Sequence, residues 1–208
     1  METLELETPH GPARVHLRSG RATRAALVLG HGAGGGVGAR DLVAAADVAE
    51  QLGFRVALVE QPYRVAGRRA PPPAAQLDAA WTAVVEQLRA KQFGRLVLVA
   101  GGRSSGARVA CRTAAVTGAA GVLCLAFPLH PPGRPEKSRL EELDAVVVPV
   151  LVVQGERDPF GMPPPAAGRT VIAVAGDHGL KSDLPAVARA VREWLDEVAI
   201  GARDRPKA

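Results

Sequence analysis

LVLVAGGRSSGARVACRTAAV, residues 96–116, decides the fold. Leu96–Ala100 is a short, unbroken apolar run rich in β-branched residues and reads as a buried strand. Arg108–Val116 reads as a helix. Between them Gly102-Arg103-Ser104-Ser105-Gly106 spells G-x-S-x-G, the strand–turn–helix that lifts a serine hydroxyl clear of a sheet edge. The turn is tight, so small residues must flank the serine. The next amide, that of Ser105, points out at a helix N-terminus, where it can stabilise an oxyanion. Ser105 does not fit the nucleophile slot itself, because Arg103 stands two residues before it where glycine is wanted. The plainer alternative is a β–α turn with Ser104 as a helix cap.

A serine hydroxyl is a weak nucleophile until a histidine takes its proton, and that histidine must be oriented by a carboxylate. On this kind of sheet the three groups follow in the order Ser, Asp/Glu, His, each after its own strand. The run VLVVQ leads into GERDPFG and places Asp158 in a loop 54 residues beyond Ser104. The run VIAVAG leads into DHG and places His178 another 20 residues on. Glu156 and Asp177 are the rival carboxylates. Asp177 adjoins His178 in sequence and is badly placed to bond its ring.

Further apolar runs at Ala25–Leu29, Val56–Val59, Val122–Ala126, Val150–Val153 and Val171–Val174 read as strands covered on both faces. Amphipathic stripes separate them: Leu42, Val43, Ala46, Ala49, Leu52; Leu77, Trp81, Val84, Val85, Leu88; and Val187, Val191, Trp194, Leu195, Val198. Both tryptophans therefore read as packing. The alternation is that of an α/β chain with a mostly parallel central sheet and helices on both faces. Leu4–Glu7 and Arg14–Arg18 alternate apolar and polar residues as an exposed antiparallel pair. The 208 residues are thus read as one domain, 1–208, with a strand pair in 1–20 and a frayed polar tail at 201–208.

A second glycine motif competes. Gly30, Gly32 and Gly35 in GHGAGG satisfy G-x-G-x-x-G after the strand ALVL, and Glu60 closes the next strand 25 residues past Gly35. That outline is a dinucleotide site, with pyrophosphate at a helix N-terminus and the acid on a ribose. Against it, the following helix begins only near Asp41 and two strands precede the motif. The same loop also follows the third strand, where a second oxyanion donor belongs; Ala33 or Gly34 would supply that amide.

Composition narrows the function classes. Hydrophobic residues make 47% of the chain and charged residues 23%, the balance of a globule rather than of a disordered tail or coiled coil. No apolar run approaches the ~20 residues of a membrane span, and METLELETPH has no signal-peptide core. The net charge is +5, but the basic residues are scattered and aromatics are only 3%, leaving little on which bases could stack. No nucleic-acid partner and no membrane partner are expected. Cys111 and Cys124 lack metal or CxxC spacing and read as free thiols of a reducing, cytoplasmic compartment. No cofactor and no metal site are expected.

GHGAGG, GRSSG, FPLHPPG (127–133), QGERDPFG (154–161) and GDHGLK (176–181) together resemble the small α/β-hydrolases related to dienelactone hydrolase. Within these they look most like the branch named after a testis-expressed protein and a chromatin acetyltransferase complex subunit. The likeness spans Ala25 to Leu195. It implies an α/β-hydrolase fold without a cap domain, and carries Ser104, Asp158 and His178 over as nucleophile, acid and base. Ser105 departs from the larger apolar residue usual there, which alters the pocket floor but not the amide. The expected activity is hydrolysis of a small carboxylic ester or thioester, with Ala33 and Ser105 as oxyanion donors. His31, Gly32, Gly34, Arg64 and His130 are the expected substrate contacts, and a small acyl compound the partner. The alternatives are a non-catalytic scaffold of the same fold and a dinucleotide-binding oxidoreductase.

Overall fold

The computed structural model describes residues 2–19 and 25–201. In chain order the elements are β1 (Glu2–Leu6), β2 (Ala13–Ser19), β3 (Ala25–Gly30), α1 (Arg40–Gln51), β4 (Phe54–Glu60), α2 (Pro62–Val65), α3 (Ala74–Leu88), β5 (Leu98–Arg103), α4 (Ser105–Thr117), β6 (Gly121–Leu125), α5 (Leu140–Asp144), β7 (Val150–Gly155), β8 (Arg169–Val174) and α6 (Leu184–Gly201). A π-type turn, Arg89–Phe93, prolongs α3.

The strands form one sheet in the order β1-β2-β4-β3-β5-β6-β7-β8. From β4 to β8 every neighbouring pair is parallel, and the expected N-terminal pair joins antiparallel, with Leu4 opposite Val15. Their C-terminal ends therefore share one edge, where open α/β sheets place their sites.

Side chains leave each strand alternately, and the two sides feed two cores. Ala26 and Val28 of β3 join Leu77, Trp81, Val84, Val85 and Leu88 of α3, with Val109 and Ala110 of α4. Ala25, Leu27 and Leu29 join Leu42, Ala46 and Ala49 of α1, with Val187, Val191, Trp194 and Leu195 of α6. Each large side chain so buried contributes about 1.5–3 kcal/mol. Both tryptophans lie in these cores, as their helical spacing predicts.

Two boundaries and one burial pattern differ from the sequence reading. β5 starts at Leu98 and runs through Gly101 and Gly102 to Arg103. The glycines punctuate no turn there. They let backbones close, since a Cβ on Gly102 would lie 2.6 Å from the Gly30 carbonyl oxygen and one on Gly101 equally near that of Leu123. The helix after it begins at Ser105 rather than Arg108, because Gly106 packs flat on the Gly30 and His31 carbonyls and its backbone can turn at once. β8 is the sheet edge, so Ile172 and Ala173 are exposed where cover on both faces is expected of them. At the C-terminus α6 includes Gly201, and the rest of the expected frayed tail lies outside the described residues. No helix among the described residues is long and apolar enough to cross a membrane.

Candidate active site

Ser104 sits between the last residue of β5 and the first of α4 with φ 53° and ψ −114°. A non-glycine residue in that region is strained by about 1–3 kcal/mol and stays there only where its surroundings dictate it. Two surroundings do. Ser104 N–H donates to the Leu125 carbonyl of β6 at 2.9 Å, and Gly102 and Gly106 clasp the turn from either side. The hydroxyl makes no capping bond to its helix, which removes the helix-cap alternative.

It points instead at His178, with Oγ 2.9 Å from Nε2. Nδ1 of the same ring lies 2.8 Å from Asp158 Oδ2. A carboxylate only accepts, so Nδ1–H donates to it and the Nε2 lone pair faces the serine hydroxyl. Asp158 is held in turn. Its side chain is 1% exposed, Oδ2 accepts from Gln154 Nε2 at 2.8 Å, and Oδ1 accepts from the Phe160 amide at 2.9 Å. The Phe160 ring lies against the imidazole, centroids 4.2 Å apart. Thus β5, β7 and β8 each deliver one group to one hydrogen-bonded line. The rival carboxylates stand outside it: Asp177 Oδ1 accepts its own loop's Gly179 amide, and Glu156 is exposed.

The loop after β3 runs beside the serine, and a Cβ on buried Gly32 would lie 3.5 Å from Ser104 Cβ. The Gly32 carbonyl takes bonds from His31 Nδ1 at 2.8 Å and the Gly35 amide at 3.2 Å. The Ala33 carbonyl takes one from the Tyr63 hydroxyl at 3.0 Å. In a trans peptide N–H opposes C=O, so Gly32 O binding His31 turns the Ala33 amide away from that ring. The amide of Ser105, first residue of α4, has no partner within its helix.

His31 corrects the sequence reading. Its side chain is buried, Nδ1–H donates to Gly32 O, and Nε2 accepts from the Gln61 amide at 3.1 Å. No nitrogen is left for a substrate; the ring knits the loop. Burial, aided by the Arg64 charge, lowers its pKa and keeps it neutral. Of the other expected contacts, Gly34 is exposed with open space above it. Arg64 is half-buried on α2, donating to the Arg68 carbonyl. His130 packs on Gly161 of the Asp158 loop and donates Nδ1–H to Pro131 O.

The dinucleotide outline fails on geometry. α1 starts five residues past Gly35, so the glycines lie at no helix N-terminus, and Glu60 is bonded to His16 at 2.7 Å.

A family model described as an alpha/beta hydrolase domain matches residues 23–186. The chain belongs to that family. Solved structures agree in fold. A Xanthomonas campestris protein, XC6422, described as an α/β serine hydrolase without lid, superposes with a TM-score of 0.73 at 24% identity, covering 93% of this chain and 94% of that one. Dienelactone hydrolase from Anabaena variabilis gives 0.74 at 17% identity, covering 94% and 96%. A thermophilic esterase from Thermogutta terrifontis gives 0.69 at 16%, covering 96% and 100%. No curated protein matches the chain.

Three groups at this site escaped the sequence reading. Gln154, fully buried, donates Nε2 to Phe127 O, Asp158 Oδ2 and Gly161 O. Its signal was available: a glutamine ending an apolar strand, four residues before the acid. Tyr63 and Phe160, two of the chain's few aromatics, carried no such signal.

Proposed function

We propose that the protein is a serine hydrolase that cleaves a small carboxylic ester or thioester through an acyl-enzyme. The observation that carries this is the unbroken line from Ser104 through His178 to Asp158, with the serine in a strained turn. A scaffold of the same fold requires none of it.

Ser104 Oγ attacks the substrate carbonyl carbon as its proton passes to His178 Nε2, and Asp158 stabilises the imidazolium. Amides of Ser105 and Ala33 hold the developing oxyanion; each such donor is worth about 10²–10³ in kcat. Collapse expels the alkoxide or thiolate, which takes the proton from Nε2. Water then attacks the acyl-enzyme with His178 again as base, releasing the acid and restoring Ser104. Gly32 lets the backbone pass beside the serine, and exposed Gly34 and half-buried Arg64 are the proposed contacts at the mouth, with His130 shaping the rim beside Asp158. Neighbours described as a serine hydrolase and an esterase support the reaction class. The motifs FPLHPPG and GDHGLK support the narrower branch of dienelactone hydrolase relatives. Free, buried Cys111 and Cys124 support a cytoplasmic setting.

The test is labelling with an active-site fluorophosphonate and turnover of short p-nitrophenyl esters and acyl thioesters. Wild type is labelled at Ser104, and Ser104→Ala abolishes both labelling and turnover. Wild-type protein that is folded, unlabelled and inactive across the panel refutes the reading.

A further inference from the structure

Arg103, the residue before the nucleophile, reaches three other pieces of chain. Its Nε donates to Asp41 Oδ2 at 2.8 Å, and its Nη2 donates to the His178 backbone carbonyl at 2.7 Å. Its Nη1 lies against Gly32, 3.1 Å from where a Cβ on that glycine would stand. The guanidinium thus touches the loop that carries the base and the loop that carries the Ala33 amide, while its own backbone continues into Ser104. Asp41, 1% exposed in the first turn of α1, closes the arrangement, with Oδ1 accepting the Leu42 amide at 3.0 Å.

The pair is a poor device for stability alone. Burying two charges costs desolvation that their attraction roughly repays, and an apolar pair of equal volume commonly holds a fold as well or better. What an apolar pair lacks is the bond to His178 O. Lysine lacks the second arm: Nε and Nη2 diverge toward acceptors on different elements, and only a planar fork serves both at once.

On the serine hydrolase reading above, we propose that Arg103 is a positioning residue, which with Asp41 holds the His178 loop and the Gly32–Ala33 loop in register with Ser104. It acts through the backbone, without touching the reacting atoms. Misplacement of a catalytic group by about 1 Å costs on the order of 10² in rate, so loss of the fork lowers kcat and leaves ground-state binding unaltered.

The experiment compares Arg103→Met/Asp41→Leu, which removes both charges together, with Arg103→Lys, wild type and Ser104→Ala. Ester kinetics, fluorophosphonate labelling rates and thermal melting are read on each. The expected result is a kcat and labelling rate about 30–100-fold down in both Arg103 variants, with KM within about twofold, as misplacement of that order implies. Melting of the double variant stays within a few degrees of wild type. Arg103→Lys decides the case if the double variant does not fold. Folded Arg103 variants turning over within about threefold of wild type overturn the inference while the hydrolase reading stands. A wild type whose turnover survives Ser104→Ala overturns the hydrolase reading, and this inference with it.

Discussion

Gln154→Met tests whether the site is held from beneath. Methionine matches glutamine in length and is apolar, so the fully buried position keeps its packing and loses only its polar end. The Gln154 amide has two hydrogens shared among three acceptors at 2.8–3.0 Å. The bond to the Asp158 carboxylate is worth about 1.5–3 kcal/mol and a neutral one about 1 kcal/mol, and a carbonyl left bare in the interior costs about 1–3 kcal/mol more. One gain opposes these losses: Oε1 of Gln154 is buried without a partner, and its removal returns about 1 kcal/mol. The net is a destabilisation of about 2.5–6 kcal/mol, or a fall in Tm of roughly 5–24 °C for a chain of this size. Asp158 retains the Phe160 amide and His178, so kcat falls about tenfold, far less than the ~10⁴ of a triad carboxylate made neutral. Thermal melting, urea unfolding and ester kinetics on one preparation read all three. A Tm within 2 °C of wild type together with unchanged kcat would refute the reasoning.

Two further outcomes follow from the geometry. Gly106→Ala drives a methyl into the backbone of Gly30 and His31, which cannot swing aside as a side chain would; we expect loss of soluble, folded protein, measured by expression yield and circular dichroism. His31 sets an acid limit on stability: burial lowers its pKa below the ordinary 6.5, so as pH falls through that value the unfolded chain takes a proton the folded one refuses. Unfolding free energy then drops by up to about 1.4 kcal/mol per pH unit, and His31→Gln removes that slope. Parallel pH profiles for the two proteins between pH 5 and 8 would contradict it.

Much of the site was readable because its chemistry demands particular residues in a particular chain order. Ser104, Asp158 and His178 each close an apolar run, and a run's end is visible in one dimension. What stayed hidden was three-dimensional. The inward turn of His31 depends on Gln61, 30 residues away, offering its amide. The reach of Arg103 to His178 O spans 75 residues. Exposure of Ile172 follows from β8 having a neighbour on one side only, which composition cannot express. The end of β5 lies beyond Ala100 because Gly101 and Gly102, which look like a turn to any local rule, here serve close backbone packing.

The delivery of serine, acid and base by three separate strands bears on when the protein can act. Ser104 and His178 stand 74 residues apart in the chain, with β6 and β7 between their strands in the sheet. A chain folded only as far as β6 holds a serine with no base, and chemistry waits on contacts of long sequence separation, which form late and slowly. On the proposed mechanism, hydrolytic power is therefore withheld from partly folded intermediates that lack β7 and β8, and turnover is itself a report that those strands have docked.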